Sequence, residues 1–568
     1  MTSTSETEPS PRNPTAYDAS TLDHALTDLK RGAKRLQAMP LAECCSLLDA
    51  CAALIVQHAD EWIRVSCSAK RIAVDQPIAA EEILAGPASL LRYLRLVTGV
   101  FRDLQASGVP RLPAAPRTNT LGRLCVPVLP IDDLYDRLIF KGLQAEVWLQ
   151  PEADRQSMFS DAWETRAARS PRVACVLGAG NVSAIPATDA LYKIFYEFEA
   201  VLLKLNPVNE YLEPVFSKIF GPLISADLLR IVRGGRDVGD AIVQHPAIDA
   251  LHLTGSHRTH EAIVWGADPQ QRVQRQRDNE PLVTKAITSE LGNVTPWVIV
   301  PGEYSQRQLR AQAENLVASI VANASFNCVA TKLIVTSSGW PQRQEFLDHI
   351  DALLQQIPPR YAYYPGSRER FERAAGFLPF DEEGTLPWTL IRDAKPDQSP
   401  HLFDEESFVC VCAETQLEES QPERFLDQAV AFVNDQVFGT LCCSLTLPDA
   451  WRKQHRDDLE RAIDRLRYGS VCLNQWAGIV YGLMTPPWGG HHSASLASPD
   501  SGLGHVHNTF GLAHVDKTVL LGPLSSVPKP VWFPTHRTAD RLARRLIRFY
   551  EKPGPLRLPP IFYHALRG

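Results

Sequence analysis

The stretch RVACVLGAGN, residues 172–181, is an apolar, β-branched run that ends in a glycine-containing turn. Short apolar runs of the same kind follow along the chain at 200–205, 228–232 and 250–253. Helical periodicity separates each run from the next. This alternation is typical of βαβ units, which assemble into a doubly wound parallel sheet. The usual ligand of such a sheet is a nucleotide, bound where strand carboxyl ends meet helix amino ends.

A second block of the same type follows toward the carboxyl terminus. Its predicted strands are 297–300, 331–336, 408–412, 440–447 and 469–474. The chain is therefore predicted to be an α/β protein with two doubly wound, Rossmann-like lobes. The first lobe is expected to take residues 16–135 and 165–288, and the second is expected to take residues 289–490.

The remaining segments flank these lobes. Residues 16–104 show helical periodicity and predict a helical N-terminal layer. A tail at residues 1–15, rich in Ser, Thr, Glu and Pro, is expected to be disordered. A predicted strand at 141–150 indicates that residues 136–164, together with residues 505–568, form a small β element and a C-terminal extension.

The composition limits the classes of function. With 568 residues and 45% hydrophobic content, the chain can bury more than one core. Its formal net charge of -7 gives no basic field for a phosphate backbone, so no nucleic-acid partner is expected. The 12 cysteines have no regular spacing, as in proteins of a reducing compartment, and we expect a cytoplasmic protein. Nowhere do about 18 apolar residues run unbroken, as a membrane-spanning helix requires.

Three polar residues stand at positions suited to catalysis. Cys328 lies in a predicted loop between a helix and a strand, where a thiol can be reached and activated. Glu290 precedes a strand of the second lobe and could act as a general base. Asn181, in the turn after the first strand, could donate to an oxyanion. Each also has an ordinary structural interpretation: a buried thiol, a capping or solvated glutamate, and a simple turn.

Two further patterns are weaker. The triplet Thr254–Ser256 ends a strand and opens a helix, where backbone amides can hold a phosphate, although three residues are too few to be specific. The paired cysteines lack the C-x-x-C spacing of a zinc site. The histidines of segment 491–507 come without an accompanying set of cysteine or carboxylate ligands. No structural or catalytic metal is predicted.

Taken in order, these elements resemble the aldehyde dehydrogenase superfamily over roughly residues 172–511. The most specific piece is NASFNCVATKLIV, residues 323–335, which resembles the family's Asn-x-Gly-Gln-x-Cys loop and the strand after it. The other similar motifs are ELGN at 290–293, LTGS at 253–256, DEESF at 404–408, FGTL at 438–441, Asn474, PWGG at 487–490 and SGLG at 501–504.

The resemblance implies oxidation of an aldehyde to the carboxylic acid. Cys328 would be the nucleophile, forming a thiohemiacetal and then a thioester, and Glu290 would be the general base for hydrolysis. Asn181 and the backbone N–H of Cys328 would hold the oxyanion, and Lys193 would be a lysine near that asparagine.

The resemblance also implies NAD or NADP as cofactor, with the first lobe as the cofactor-binding lobe and the second as the catalytic lobe. The residues that it assigns to cofactor binding are Lys204, Gly255, Ser256, Leu291, Glu406 and Phe408. Pro207 stands where NAD-preferring members often place a glutamate on the ribose hydroxyls. Because that carboxylate is missing, a 2′-phosphate meets less repulsion and NADP is permitted.

The chain departs from the family pattern at two places. Ser325 and Phe326 replace the Gly-Gln before the cysteine, so the loop must turn without its glycine. Phe326 is expected to add an aromatic ring to the substrate end, alongside Trp476 and Trp488. The turn from Asn181 to Pro186 is longer than the family's Asn-Phe-Pro.

Two other functions remain as alternatives. In a coenzyme A-acylating relative, coenzyme A rather than water resolves the thioester, but such members generally lack the glutamate that Glu290 provides here. A catalytically silent member would serve as a binding or oligomeric scaffold. The joint presence of Cys328, Glu290, Asn181 and Glu406 argues against that.

The C-terminal extension carries one clear pattern. Within residues 541–550, Leu542, Leu546 and Phe549 form a stripe opposite arginines, which predicts an amphipathic basic helix. This helix is expected to dock on its own or a neighbouring subunit, or else to touch an anionic membrane surface and suit a lipid-derived aldehyde. By family resemblance the chain is expected to form a homodimer or homotetramer through residues 141–150 and the region after residue 512.

Overall fold

The computed structural model describes residues 19–131, 134–379 and 384–568. The disordered tail predicted at residues 1–15 lies outside the described residues. The α-helices are α1 (Ala19–Ala38), α2 (Leu41–Ala69), α3 (Ala80–Ile83), α4 (Ser89–Ser107), α5 (Tyr135–Ile139), α6 (Ala162–Thr165), α7 (Ile185–Phe195), α8 (Glu213–Ile219), α9 (Gly221–Ser225), α10 (Arg236–Gln244), α11 (His257–Val264), α12 (Pro269–Asp278), α13 (Gln306–Val321), α14 (Arg343–Gln356), α15 (Ser367–Ala375), α16 (Pro422–Asp435), α17 (Asp449–Gln454), α18 (Arg456–Arg465), α19 (Gly478–Leu483), α20 (Ala539–Glu551) and α21 (Leu558–Ala565).

The strands are mostly short. They are β1 (Arg117–Thr118), β2 (Leu124–Leu129), β3 (Gln144–Leu149), β4 (Arg172–Leu177), β5 (Glu199–Lys204), β6 (Leu229–Val232), β7 (Ala250–Thr254), β8 (Ala286–Glu290), β9 (Pro296–Ile299), β10 (Leu333–Ser337), β11 (Arg360–Tyr361), β12 (Thr385–Leu386), β13 (Thr389–Ile391), β14 (Val411–Leu417), β15 (Cys442–Thr446), β16 (Ser470–Leu473), β17 (Pro487–Trp488), β18 (Val506–His507) and β19 (Val515–Leu521).

The first lobe is built on a 5-stranded parallel sheet with the order β6-β5-β4-β7-β8. Side chains of β4 alternate between its faces, with Val173 and Cys175 on the side of α1 and Ala174 and Val176 on the side of α7. Because helices cover both faces, the central strands are apolar throughout. The predicted βαβ arrangement is confirmed.

The second lobe is built on a 10-stranded sheet, in the order β1-β2-β3-β19-β16-β15-β9-β10-β14-β13. The strands from β19 to β13 run parallel, whereas β3 pairs antiparallel with β19. The small β element predicted around residues 141–150 therefore extends the sheet of the second lobe instead of forming a separate one. Two doubly wound lobes of the predicted type are confirmed.

One predicted strand is displaced. The sequence suggests a strand at 408–412, but β14 begins at Val411. Phe408 has a φ of 46°, in the left-handed region, so its backbone cannot continue an extended strand. The strand that follows pairs in parallel with β10 and β13.

The helical N-terminal layer covers the first lobe and includes α2. By length and composition alone, α2 is apolar enough to cross a membrane. Its inner face carries residues such as Trp62 and Ile63 into the core against α4 and α8. Its outer face is charged, and Asp60 and Glu61 form ion pairs with Arg544 and Lys218. One face of α2 therefore packs in the core and the other carries charges, which is the pattern of an amphipathic helix.

The C-terminal extension folds back onto its own chain. Helix α20 packs against α2, α3 and α4, and its apolar side chains, including Leu542, Leu546 and Phe549, are buried. Docking on the same subunit is therefore the alternative that the structure shows. The apolar stripe is buried in the folded chain, and the membrane contact through this basic helix stays a prediction.

Candidate active site

Cys328 lies in a tight loop between α13 and β10. The three residues Asn323, Ala324 and Ser325 have φ values of 55°, 54° and 67°, so the chain passes through the left-handed region without a glycine. Non-glycine residues pay for this conformation in strain, which persists only where the surroundings hold the backbone. The loop thus turns as predicted without the family's glycine, and it requires support from neighbouring elements.

Two buried lysines supply this support. Lys332 Nζ donates to the carbonyl of Ser325 at 2.9 Å and to its hydroxyl at 2.6 Å. Lys70 Nζ, at the end of α2, donates to Asn323 Oδ1 at 2.8 Å and is ion-paired with Glu82 at 2.7 Å. Both ends of the left-handed run are therefore fixed by charge-assisted hydrogen bonds.

The sulfur of Cys328 faces a carboxylate. Cys328 Sγ lies 3.1 Å from Glu290 Oε1, and Trp488 Nε1 donates to Glu290 Oε2 at 2.9 Å. Glu290 is the last residue of β8, so the carboxylate comes from the first sheet and the thiol from the second lobe. The two residues that the motifs single out are brought into contact at the junction of the two sheets.

The surroundings of the pair shift the titration of both groups. Burial, with a further contribution from the charge of Asp189, raises the pKa of Glu290 to about 7. Burial and the neighbouring Glu290 raise the pKa of the Cys328 thiol well above its usual range. At neutral pH the carboxyl is therefore close to its midpoint and the thiol is protonated, an arrangement in which Glu290 can accept a proton from sulfur.

A large cavity leads to this pair. It has a volume of about 960 Å³, and its lining includes Cys328, Glu290, Trp476 and Trp488. The two tryptophans therefore line the substrate end as predicted. Phe326 does not line the cavity. Its ring is buried against Tyr363, Tyr364 and Phe408, so the prediction that it enters the substrate end is wrong.

Comparisons with known proteins agree with this geometry. Residues 201–359 match the model of the aldehyde dehydrogenase family. A solved NAD-dependent aldehyde dehydrogenase from Sinorhizobium meliloti superposes with a TM-score of 0.59 at 15% identity, over 90% of this chain and 88% of that one. The chain has the aldehyde dehydrogenase fold. The superfamily resemblance predicted from the motifs is confirmed.

Other solved structures of this fold superpose equally well. An E. coli NADP dependent enzyme gives a TM-score of 0.58 at 15% identity, over 89% of this chain and 91% of that chain. A putative aldehyde dehydrogenase from Burkholderia cenocepacia gives a TM-score of 0.56 at 18% identity, over 88% of this chain and 92% of that chain. At such low identity these matches establish the fold, and the chemistry must be argued from this chain's own residues.

In this aldehyde dehydrogenase fold, Asn181 lies behind the catalytic loop. Its Nδ2 donates to the carbonyl of Phe326 at 3.1 Å, and it does not line the cavity. Asn327 does line the cavity, and its Oδ1 accepts from the backbone N–H of Val329 at 3.3 Å and lies 3.8 Å from Cys328 Sγ. The oxyanion role of Asn181 remains a prediction, and Asn327 is a second candidate for it.

The prediction that Lys193 lies near Asn181 is wrong. Lys193 Nζ is ion-paired with Glu197 at 2.7 Å and lies 3.9 Å from Glu199, the first residue of β5. Glu290 ends β8 in the same parallel sheet. Lys193 therefore lies at the amino ends of the strands, and the Glu290 carboxylate lies at their carboxyl ends. The lysine that contacts Asn181 is Lys70, whose Nζ donates to the Asn181 carbonyl at 3.0 Å.

The residues predicted to bind the adenosine part of the cofactor lie at the carboxyl ends of the strands of the first sheet. Lys204 ends β5, and within the described residues no carboxylate comes within ion-pair distance of its Nζ. Gly255 and Ser256 follow β7 and are exposed at the amino end of α11. An unpaired ammonium beside a helix amino end suits the hydroxyls and phosphates of a dinucleotide.

The residues predicted to bind the nicotinamide part of the cofactor lie nearer the Cys328 thiol than those predicted to bind the adenosine part. Glu406 Oε1 is buried and has no hydrogen-bond partner among the described residues, and burial raises its pKa to about 7. Glu406 Oε2 lies so close to Gly292 that a Cβ there would come within 2.4 Å of it. Leu291 is buried, and the ring of Phe408 lies 5.9 Å from that of Phe326 at an interplanar angle of 48°. A buried carboxylate oxygen without a hydrogen-bond partner fits a ligand that brings hydroxyl donors.

Sequence reasoning missed several residues of the site. Lys70 belongs to the N-terminal layer, and no motif marks it. Asp189 is buried in α7, where its Oδ2 accepts from Thr254 Oγ1 at 2.8 Å and lies 3.4 Å from His252 Nε2. Its signal was available, because it is the one acidic residue in a helix that is fully buried and mostly apolar. Such a carboxylate is costly to bury unless it is paired or functional.

The histidines noted as a weak metal hint do meet a carboxylate. Ligand atoms of His491, His492 and Asp516 lie within 4.8 Å of one another. Asp516 is also ion-paired with Arg123 and lies 3.7 Å from Lys517 Nζ. Two cations therefore already balance this carboxylate, which is the pattern of a structural ion-pair cluster.

Proposed function

We propose that this protein oxidises an aldehyde to the carboxylic acid with NAD or NADP, through a thiohemiacetal and a thioester on Cys328. The observation that carries the proposal is the 3.1 Å contact between Cys328 Sγ and Glu290 Oε1 in the large cavity. A thiol beside a partly titrating carboxyl is a nucleophile with its own base. The overall reaction consumes water and NAD(P)+ and yields the acid, NAD(P)H and a proton.

In the first step, Glu290 takes the thiol proton and the Cys328 sulfur attacks the carbonyl carbon of the aldehyde. A C–S bond forms as the carbonyl π bond becomes an oxyanion. The Cys328 backbone N–H donates to no protein acceptor in the described part of the chain and is one donor for that oxygen. Asn327 lines the cavity next to Cys328, and its side-chain amide would be the second donor once its N–H group turns toward the oxyanion.

In the last step, water hydrolyses the thioester. Glu290, having released the first proton, removes a proton from water as the oxygen attacks the acyl carbon, and the C–S bond breaks to return the Cys328 thiolate. Trp488 holds Glu290 Oε2 and so keeps Oε1 directed at the reacting atoms. One carboxylate thus serves both halves of the reaction, which requires a pKa close to neutral.

Between these steps the cofactor, when bound, supplies the acceptor for the hydride that leaves the thiohemiacetal carbon. Lys204, Gly255 and Ser256 would hold its adenosine and phosphate end, and Glu406 would bind ribose hydroxyls at the nicotinamide end. Leu291 and Phe408 flank that end. Either cofactor fits, because Pro207 places no carboxylate against a 2′-phosphate.

The test is NAD(P)H formation by the purified protein with a panel of aldehydes. Cys328→Ala is expected to abolish turnover, and Glu290→Gln is expected to lower kcat by about 10²–10⁴. Cys175→Ala, which removes a buried thiol from β4, is the matched control and should retain turnover. Full activity in Cys328→Ala would overturn the proposal.

Two further measurements distinguish the proposed function from the coenzyme A-acylating enzyme and the catalytically silent scaffold. Activity that requires coenzyme A would establish an acylating enzyme in place of a hydrolytic one. Binding of the cofactor without turnover of any aldehyde would indicate a scaffold. The position of Glu290 against the sulfur supports hydrolysis over both.

We also propose a reducing location and a homo-oligomer. The unpaired cysteines support a cytoplasmic protein. The proposal of a homo-oligomer rests on the family resemblance, since the two-residue strand β1 leaves little free backbone at that edge of the large sheet. Light scattering of the purified protein measures its assembly, and a monomer at micromolar concentration would contradict the oligomer.

A further inference from the structure

We infer that the cavity accepts a straight-chain hydrocarbon aldehyde, whose carbonyl lies at Cys328 and whose chain runs outward along the C-terminal extension. The inference rests on the proposed function for the reacting end, and it names the class of substrate. A volume of about 960 Å³ lies near the upper end of the ~300–1,000 Å³ of typical small-molecule sites. A short aldehyde would leave most of that space unfilled.

The C-terminal extension builds a large part of the cavity wall. Most of its lining side chains are apolar, and they include Val531, Phe533, Leu542, Leu546, Ile561 and Phe562. Helices α20 and α21, which carry the last four, pack against each other and hold this wall in place. An apolar wall of this length stabilises a hydrocarbon chain by removing it from water.

The cations that line the cavity are used elsewhere or lie at its edge. Lys70 is ion-paired with Glu82, and Lys529 Nζ donates to Thr535 and lies 3.4 Å from Glu314 Oε1. Lys141 Nζ donates to a backbone carbonyl at 3.3 Å, and Arg307 is exposed. The interior therefore offers no unpaired cation, within the described residues, to a second anionic group on the substrate.

Apolar side chains also border the cavity at the protein surface. Leu138, Val527 and Leu566 belong to its lining and are exposed by 38%, 57% and 70%, and the exposed Lys141 and Arg307 belong to the same lining. Exposed apolar side chains that border a cavity favour the entry of an apolar ligand over a polar one. The C-terminal wall thus offers an apolar surface to the part of a ligand that extends away from the thiol.

The experiment measures kcat/KM for straight-chain aldehydes from butanal to dodecanal. Burying each added methylene is expected to raise kcat/KM by about fourfold until the cavity is filled. Values that stay flat or fall from butanal to dodecanal, with butanal turned over, would overturn the inference and leave the proposed function intact.

A pair of variants on α21 tests where the hydrocarbon chain of the substrate lies in the cavity. Ala565 lines the cavity, so Ala565→Trp fills space in it and should lower kcat/KM for dodecanal at least tenfold while butanal is unaffected. Tyr563 is 56% exposed on the same helix and does not line the cavity, so Tyr563→Trp is the matched control. Thermal unfolding of both variants checks that the helix remains docked. Equal losses in both variants would contradict the assigned path.

Binding without turnover separates the two proposals. Titration calorimetry with hexanoate and dodecanoate, which cannot be oxidised at the carboxyl carbon, probes the cavity alone. Tighter binding of dodecanoate, reduced in Ala565→Trp but not in Tyr563→Trp, would support the inference even if no aldehyde is turned over. Equal or absent binding of both acids would overturn it.

Discussion

Cys328 Sγ lies 3.1 Å from Glu290 Oε1, and these two atoms come from different lobes of the protein. The thiol is delivered by a left-handed loop before β10, and the carboxylate is delivered by the carboxyl end of β8. Neither group can titrate independently of the other at this distance. The pH dependence and the stability of the protein should both reflect this contact.

The first prediction concerns the pH profile. Because a hydrogen bond to the carboxylate lowers its pKa, loss of the Trp488 N–H should raise the pKa of Glu290 above about 7. In Trp488→Phe, the pH at which kcat reaches half of its maximum should therefore increase by about one pH unit. Trp476→Phe is the matched control, since Trp476 also lines the cavity but donates to Val329. An equal shift in both variants would contradict this assignment.

The second prediction concerns stability. The folded-state pKa of Glu290 is about 7 against an ordinary value of 4.5, so ionising this carboxyl in the folded protein opposes folding as pH rises through 7. Glu290→Gln should match wild type below pH 4.5 and exceed its unfolding free energy by at most about 3 kcal/mol above pH 8. Urea unfolding at several pH values measures this. The exposed Glu303→Gln should follow wild type throughout.

The third prediction separates the two asparagines. Removal of an oxyanion donor costs about 10²–10³ in kcat, so Asn327→Ala should show a loss of this size with KM little changed. Asn181→Ala should instead lower the unfolding free energy by about 1–3 kcal/mol, because its amide supports the Phe326 carbonyl. Steady-state kinetics and unfolding of both variants decide the point. A kcat loss confined to Asn181→Ala would restore the assignment from the motif.

The fourth prediction concerns the lysine beneath the loop. Lys70→Met leaves the buried Glu82 carboxylate unpaired and should lower the unfolding free energy by about 3–5 kcal/mol. Combining it with Glu82→Met removes that unpaired charge and should recover a large part of the loss. A double variant no more stable than Lys70→Met would contradict an ion-pair role. Arg102→Met, whose partner Asp49 is exposed, is a surface control with little expected effect.

The motifs located much of the site because they lie where strands end. Lys204 closes β5 and Gly255 follows β7, so the predicted strands place both at the carboxyl ends of one sheet. Strand β8 was not predicted, and Glu290, which was assigned to the second lobe, instead ends that strand of the first sheet. The prediction that Lys193 lies near Asn181 failed for a geometrical reason. It lies in the last turn of α7, which runs back along the sheet, and it reaches the edge where β5 begins.

The sequence by itself determined the two α/β lobes, the order of their motifs and the identity of the thiol and the carboxylate, because strand and helix periodicity and short motifs are local properties. Only the tertiary structure decided which residues support and enclose that pair. Lys70 reaches Asn323 across 253 positions of sequence, and an apolar stripe on α20 does not itself reveal which surface will cover it. Contacts of this kind depend on how separately formed elements pack together, and no local pattern records that.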